Sequence, residues 1–131
     1  MEAKDQYKKI LLIDDDENLV NTYSAMLERK NLADYLIPFS DASDGLSYIQ
    51  SKPKADLPQY IVLDLYMPQM NGFEFLKRFQ QLNEKQSEVE IFVCTSSKKK
   101  TDRDKVMQYP CVSAFIQKPL SIDFLELLIK H

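Results

Sequence analysis

The sequence predicts an α/β fold in which one parallel sheet is covered by helices on both faces. Apolar runs of strand length alternate with longer amphipathic segments along the chain, as is typical of repeated β–α units. Two of these runs are continuously apolar, as expected of strands that are buried on both faces. With 131 residues, 44% of them hydrophobic and 28% charged, the chain has the size and composition of one globular domain.

Five apolar runs are predicted to form the strands. The first and third are the continuously apolar ones, and the fourth is rich in the β-formers Val, Ile and Phe. The second contains Pro38, which lacks a backbone donor and therefore indicates a strand at the edge of the sheet. The five predicted strands are Ile10–Ile13, 35–39, Tyr60–Leu63, 89–94 and Val112–Gln117.

The segments between and after these strands have helical spacing of apolar residues, and they predict five helices. The first three span 17–30, 44–50 and 73–82. The fourth is short: Thr101 is the expected N-cap, with Asp104 in a weak capping box, and the helix ends before Pro110. Ser121 is expected to cap the last helix.

In a parallel α/β sheet, ligands bind beyond the carboxyl ends of the strands, so the residues just after each strand are the candidates for a site. Three strand ends carry ionisable groups and a fourth carries hydroxyls. Asp16 is interpreted more simply, as an N-cap of the first helix. The candidates are Asp14 and Asp15 after the first strand, Asp64 after the third, Thr95, Ser96 and Ser97 after the fourth, and Lys118 after the fifth.

The carboxylates among these candidates predict a metal site. The first and third strands of a doubly wound sheet are neighbours about 4.8 Å apart, so Asp14, Asp15 and Asp64 should converge. Clustered carboxylates repel one another, and a divalent cation removes that cost. Mg²⁺ prefers such oxygen ligands. With Lys118 and Thr95 at the same edge, the set is suited to phosphoryl transfer, with Asp64 as the nucleophile that forms an acyl phosphate.

The composition disfavours several other functions. A net charge of −3 argues against nucleic acid as the main partner. Cys94 and Cys111 fit no zinc spacing and are interpreted as a core residue and a turn residue. His131 is the single histidine, which disfavours a histidine-based catalytic site. Gly45 and Gly72 are the two glycines, so no glycine-rich phosphate loop can be formed.

No apolar run approaches the roughly 18–20 residues that span a membrane. The charged N-terminal segment 1–9 lacks the apolar stretch of a secretory signal. We therefore expect a cytoplasmic protein that contacts neither membrane nor nucleic acid directly.

The strand-end motifs resemble those of response regulator receiver domains. The run ILLIDDD at 10–16 resembles the start of such domains, and DLYMPQMNG at 64–72 resembles their phosphoacceptor loop, D-x-x-M-P-x-M-x-G. Thr95 with Ser96, and Lys118 with Pro119, complete the set in the family's order. The resemblance implies a flavodoxin-like (βα)5 fold with strand order 2-1-3-4-5, in a single receiver domain spanning 1–131 with no output domain.

The resemblance also implies the site's chemistry. Asp64 matches the phosphorylated aspartate. Asp14 and Asp15 match the metal-binding pair, with Asp15 the more direct ligand, and the carbonyl of Tyr66 matches a further ligand of Mg²⁺. Lys118 matches the lysine that pairs with the phosphoryl group, and its bond to Pro119 is expected to be cis.

Three further positions match residues that act after phosphorylation. Thr95 matches the switch hydroxyl. Phe115 matches the switch aromatic, which is often Tyr in the family, so a switch here would work by packing alone. Tyr66 and Ser97 occupy positions that tune the lifetime of the phosphoryl group.

The function implied is two-component phosphorelay signalling. A histidine kinase or a histidine phosphotransfer protein would donate the phosphoryl group. The chain would assist its own phosphorylation and dephosphorylation without being an enzyme for a separate substrate. It would act on an unidentified downstream protein, as a monomer or as a phosphorylation-dependent dimer. The signal is expected to leave through the fourth helix, the fifth strand and the fifth helix, of which the polar segment 98–109 should move most easily.

Three other classes of protein fit the sequence less well than a receiver domain. A dehalogenase-like phosphatase needs a second Asp where Tyr66 stands, and a flavodoxin-like cofactor binder needs a hydroxyl- and glycine-rich loop where three aspartates stand. A pseudo-receiver, which acts only by binding, usually lacks one of the site residues. The run 98–100, three lysines, is either a solvated loop or a surface that steers an acidic partner.

Overall fold

Five parallel strands form one sheet in the order β2-β1-β3-β4-β5, which confirms the predicted fold. The computed structural model describes residues 6–82 and 88–131; part of the charged segment 1–9 therefore lies outside the described residues. Strand β2 is at the edge, as Pro38 indicated. The strands are β1 Ile10–Ile13, β2 Leu36–Phe39, β3 Tyr60–Leu63, β4 Glu90–Thr95 and β5 Val112–Gln117.

Helices follow each strand in turn, and all but one begin with a side-chain cap. The carboxylates of Asp16 and Asp41, the amide of Asn71 and the hydroxyl of Ser121 accept backbone N–H groups at the starts of α1, α2, α3 and α5. The prediction of Asp16 and Ser121 as caps is confirmed. The helices are α1 Glu17–Glu28, α2 Ala42–Ser51, α3 Gly72–Gln80, α4 Lys100–Val106 and α5 Ile122–Lys130.

Helix α4 begins differently from the prediction. Its N-cap position is held by Lys99, which makes no side-chain cap, and Thr101 lies inside the helix. The capping box of Thr101 and Asp104 is therefore wrong. The hydroxyl of Ser97 accepts the backbone N–H of Lys99 at 3.2 Å, just before the helix begins.

Two apolar cores cover the two faces of the sheet. Leu11 and Ile13 of β1 face one core, which includes residues of α2, α3 and α4. Ile10 and Leu12 face the other, which includes residues of α1 and α5. Because successive strand residues point to opposite faces, the continuous apolar run of β1 serves both cores.

Most predicted core positions are buried, with two differences. Met26 of α1 is exposed, although it shares the helical spacing of Tyr23 and Leu27, which are buried. Val106 is fully buried in the first core and attaches α4 to it. The segment 98–109 therefore has a stronger apolar contact with the core than its polar sequence suggested. In the described ranges, no helix combines the length and the apolar character needed to cross a membrane.

Candidate functional site

The end of β1 places two carboxylates at the carboxyl edge of the sheet. The backbone N–H of Asp14 continues the ladder to the carbonyl of Phe39 at 3.0 Å, so Asp14 is held in a strand-like position. Its Oδ1 accepts the N–H of Asp16 at 2.9 Å, and its side chain is buried, with 4% of the residue exposed. Asp15 is exposed to solvent. The two neighbours therefore present one fixed carboxylate and one free to meet a ligand from the solvent side.

Asp64 stands at the end of β3, next to Asp14. Its N–H donates to the carbonyl of Ile13 at 3.0 Å, its Oδ1 accepts the N–H of Leu65 at 2.9 Å, and the residue is only 6% exposed. The loop after it turns back on itself, because the N–H of Gly72 donates to the carbonyl of Leu65 at 2.8 Å. A Cβ on Gly72 would lie 2.5 Å from the carbonyl oxygen of Asp64, so this close approach requires glycine.

Lys118 brings the positive charge. Its Nζ lies 2.8 Å from Oδ2 of Asp14 and 3.4 Å from Oδ2 of Asp64. The backbone N–H of Lys118 donates to the carbonyl of Thr95 at 2.9 Å, which fixes the start of the side chain beside β4. The bond from Lys118 to Pro119 is cis, as expected.

The loop that carries Lys118 is also held from α1. The buried hydroxyl of Tyr23 accepts the backbone N–H of Leu120 at 3.0 Å. The sequence indicated Tyr23 only as part of the apolar face of α1. Its hydrogen bond joins positions 97 residues apart, and no local pattern could have pointed to it.

Burial and nearby charges have opposite effects on the pKa values of Asp64 and Lys118. Burial raises the pKa of Asp64 above its usual value, while the nearby ammonium of Lys118 opposes the rise. Burial also lowers the pKa of Lys118, but its hydrogen bond and charge interaction with Asp14 and its interaction with Asp64 outweigh this, so that its pKa is raised. Lys118 is therefore a fixed cation between two buried acids.

The donor set fits a hard divalent cation. One carboxylate oxygen from each of Asp14, Asp15 and Asp64 lies within 4.8 Å of the others. Three carboxylates face one lysine, so the pocket keeps an excess of negative charge that a divalent cation would neutralise. All the side-chain donors in this group are oxygens, which Mg²⁺ prefers over nitrogen or sulfur.

Thr95 and Phe115 lie on adjacent strands and on the same face of the sheet. Thr95 ends β4 and is almost fully buried, and its Oγ1 accepts the N–H of Ser97 at 3.3 Å. Phe115 pairs with Val93, two residues before Thr95, and is partly buried against the first core. The two predicted switch residues are thus diagonal neighbours on adjacent strands.

Tyr66 and Ser97 meet at a residue that the sequence did not indicate. The hydroxyls of Tyr66 and Ser97 donate to Oδ2 of Asp102 at 2.7 and 2.6 Å. Asp102 is 7% exposed although it belongs to the short polar helix α4. These hydrogen bonds lower the pKa of Asp102, with the bond from Ser97 contributing most, and keep it ionised.

The fold and the site define a doubly wound α/β domain with an acidic pocket and one lysine at the carboxyl edge of its sheet. The family model of the response regulator receiver domain matches residues 10–130 of the chain. The chain therefore belongs to the response regulator receiver domain family and is a receiver domain of two-component signalling.

Curated relatives agree with this family. The response regulator Rre1 of Synechocystis sp. is 28% identical over 123 residues, which cover 93% of this chain and 50% of that protein. The sensor histidine kinase CheAY of Helicobacter pylori is 30% identical over 123 residues, which cover 93% of this chain and 14% of that protein. The chain thus spans half or less of the length of these two relatives.

Solved structures share the fold. A response regulator receiver protein from Dyadobacter fermentans is 26% identical, with a TM-score of 0.76, over 93% of this chain and 94% of that one. The phosphorylated cyanobacterial phytochrome response regulator RcpA has a TM-score of 0.74 at 20% identity, over 95% of this chain and 89% of that one. At that identity the second likeness concerns the fold alone.

Proposed function

We propose that Asp64 accepts a phosphoryl group in a reaction that depends on Mg²⁺ held by Asp14, Asp15 and Asp64. The observation that carries the proposal is the convergence of three carboxylates and Lys118 at the ends of β1, β3 and β5. Asp64 is the central member of this set, because β3 lies between β1 and β4 in the sheet. Its carboxylate lies within reach of Lys118 and of both other acids.

The chemistry follows from this arrangement. A carboxylate oxygen of Asp64 attacks phosphorus, the bond from phosphorus to the donor breaks, and an acyl phosphate forms. Lys118 can form an ion pair with the new phosphoryl oxygens, since its ammonium already lies 3.4 Å from Asp64. Thr95 supplies a hydroxyl donor from the next strand end. Bound Mg²⁺, with the carbonyl of Tyr66 as a further ligand, would supply charge neutralisation at the phosphoryl oxygens.

The donor we propose is a phosphohistidine on a histidine kinase or a histidine phosphotransfer protein. Receiver domains as a family take part in such transfers, and a relative of this chain is itself named a sensor histidine kinase. The pocket opens to solvent beside Asp15, so a partner can reach it. We propose that this transfer takes place in the cytoplasm. We also propose that Phe115 is the switch residue, which responds to phosphorylation by a change in its packing.

We further propose that the downstream target presents an acidic segment to a groove between α4 and β5. The groove has a volume of about 760 Å³, and Phe115 and the exposed Met107 supply apolar surface to it. Cations dominate its rim, which favours a target of opposite charge. The charged residues that line it are Lys98, Lys99, Lys100, Arg103 and Asp104.

Intact-mass analysis tests phosphoryl acceptance. With Mg²⁺ and acetyl phosphate, the protein should gain the mass of one phosphoryl group, and Asp64→Asn should gain none. Asp16→Asn is the matched control, because Asp16 lies just outside the carboxylate cluster and Asn caps a helix as well as Asp does. Equal labelling of Asp64→Asn and the unchanged protein would contradict the assignment.

A further inference from the structure

Asp102 joins the two loops that flank the phosphoryl pocket. Tyr66 lies on the loop after β3, two residues past Asp64, and Ser97 lies on the loop after β4, two residues past Thr95. Both hydroxyls donate to the same oxygen of Asp102, Oδ2, at 2.7 and 2.6 Å. A nearly buried carboxylate on α4 thus fixes one side chain from each loop.

The Tyr66 side chain forms the bridge between these loops. It starts in the loop after β3, close to Asp64, and its hydroxyl reaches Asp102 on α4, so it crosses toward the elements that follow the adjacent strand β4. Phe73 of α3 supports the ring with an edge contact, at 6.1 Å between centroids. The residue remains 51% exposed, so the hydroxyl contact with Asp102 is a main restraint on where the ring lies.

We infer that Asp102 is a positioning residue that holds Tyr66 across the α4 side of the pocket and so slows hydrolysis of the acyl phosphate. The inference rests on the proposed phosphorylation of Asp64. In hydrolysis, a water oxygen bonds to phosphorus, the bond from phosphorus to Asp64 breaks, inorganic phosphate leaves, and the carboxylate is restored. Attacking water must enter opposite that breaking bond, from the open side of the pocket. A ring fixed along that opening reduces the positions from which water can enter.

The geometry at Asp102 allows variants that keep or remove the two hydrogen bonds selectively. Because both donors use one oxygen, the single carbonyl oxygen of an asparagine can accept both bonds, although without charge assistance. Alanine can accept neither. Tyr66→Phe keeps the ring and removes only the hydroxyl. Glu74→Ala is the matched control, since Glu74 is an exposed acid on α3, paired with Arg78 at 3.9 Å.

The test is the decay of phosphoprotein after acetyl phosphate is removed, followed by intact mass in the presence of Mg²⁺. Asp102→Ala and Tyr66→Phe should each shorten the half-life by roughly threefold or more, because loss of the charge-assisted hydrogen bond releases the ring. The double variant should decay no faster than the faster single variant, because both changes break the same restraint. Asp102→Asn should decay more slowly than Asp102→Ala, and Glu74→Ala should match the unchanged protein.

Other outcomes overturn the inference. If Asp102→Ala decays like the unchanged protein, if its effect adds fully to that of Tyr66→Phe, or if Asp102→Asn decays as fast as Asp102→Ala, Asp102 does not act by holding Tyr66. Should Asp102→Ala not fold, unchanged decay in Tyr66→Phe overturns it equally. Failure of the unchanged protein to take up any label is a separate result, which overturns the proposed phosphorylation and this inference with it.

Discussion

The ammonium of Lys118 lies closer to Asp14, at 2.8 Å, than to the proposed acceptor Asp64, at 3.4 Å. Before phosphorylation, the lysine is therefore held mainly by an acid that does not react. Both acids are buried, and Lys118 is the cation paired with them. The first two predictions concern what happens when this balance is disturbed.

Replacing Lys118 with an uncharged side chain of similar length should destabilise the metal-free protein. Lys118→Met leaves Asp14 and Asp64 buried without their cation, which should lower the free energy of unfolding by about 3 kcal/mol at neutral pH. The loss should shrink on acidification, because protonation of Asp64, whose pKa is raised by burial, removes part of the unpaired charge. Urea denaturation at several pH values measures it. Lys100→Met, at an exposed lysine, should leave stability nearly unchanged.

Asp64 should make the metal-free protein less stable as its carboxyl ionises. Because burial raises its pKa in the folded state, the folded protein binds more protons than the unfolded chain between the two pKa values, and stability falls as pH rises through this window. Asp64→Asn cannot ionise and should be more stable by about 1 kcal/mol above the window. Thermal melts across pH without Mg²⁺ measure this difference. A variant less stable than the unchanged protein at neutral pH would contradict it.

Mg²⁺ should stabilise the folded protein through the three carboxylates. At a concentration 100 times the dissociation constant, a ligand that binds only the folded state adds about 2.7 kcal/mol of stability. Asp15→Asn should weaken Mg²⁺ binding with little loss of packing, because Asp15 is exposed. Calorimetric titration measures the affinity directly. An affinity equal to that of the unchanged protein would remove Asp15 from the proposed ligands, whereas Asp16→Asn should bind Mg²⁺ normally.

Gly72→Ala should damage the acceptor loop. The added methyl would lie 2.5 Å from the carbonyl oxygen of Asp64 and 2.8 Å from Cα of Leu65, and backbone atoms cannot move aside locally. We expect a loss of about 2 kcal/mol of stability and slower phosphorylation by acetyl phosphate. Gly45→Ala is the contrasting variant, because its methyl meets the end of the Ile13 side chain at 2.7 Å. It should leave the rate of phosphorylation unchanged.

Phosphorylation should alter the surface around α4 and β5. Beryllofluoride, which mimics the acyl phosphate, should change amide exchange in 98–109 and around Phe115, which is linked to the site through Thr95 on the adjacent strand. Protection changes confined to the loops of Asp14, Asp64 and Lys118 would contradict this route. They would make transfer of the phosphoryl group to a further protein the better explanation of the domain's role.

The strands and the site's acids were predictable because their signals are local. Continuous apolar runs identify β1 and β3, and the acids follow them directly in sequence. Parallel pairing then places Asp14 beside Asp64 by a general rule of sheet geometry. The full order of the strands, the carbonyl of Tyr66 as a metal ligand and the switch roles of Thr95 and Phe115 needed the resemblance to a family.

What could not be predicted depends on contacts between distant residues. Asp102 was not singled out within the polar segment 98–109, because its partner Tyr66 lies 36 residues away and burial of an acid leaves no apolar pattern. The start of α4 was also misplaced, since Lys99 holds the N-cap position without a side-chain cap and Thr101 lies inside the helix. Such contacts arise from the assembled sheet and not from the periodicity of any segment.

Cys94, on β4 directly before Thr95, was predicted to be a core residue and is buried in the second core. Burial raises the pKa of its thiol to about 12. At physiological pH the sulfur stays protonated, and the thiolate is the form that reacts with peroxides, alkylating agents and disulfides. The sulfur of Cys94, next to the switch residue Thr95, is therefore kept in the unreactive thiol form. Oxidants and alkylating agents should therefore leave Cys94 itself unmodified in the folded domain.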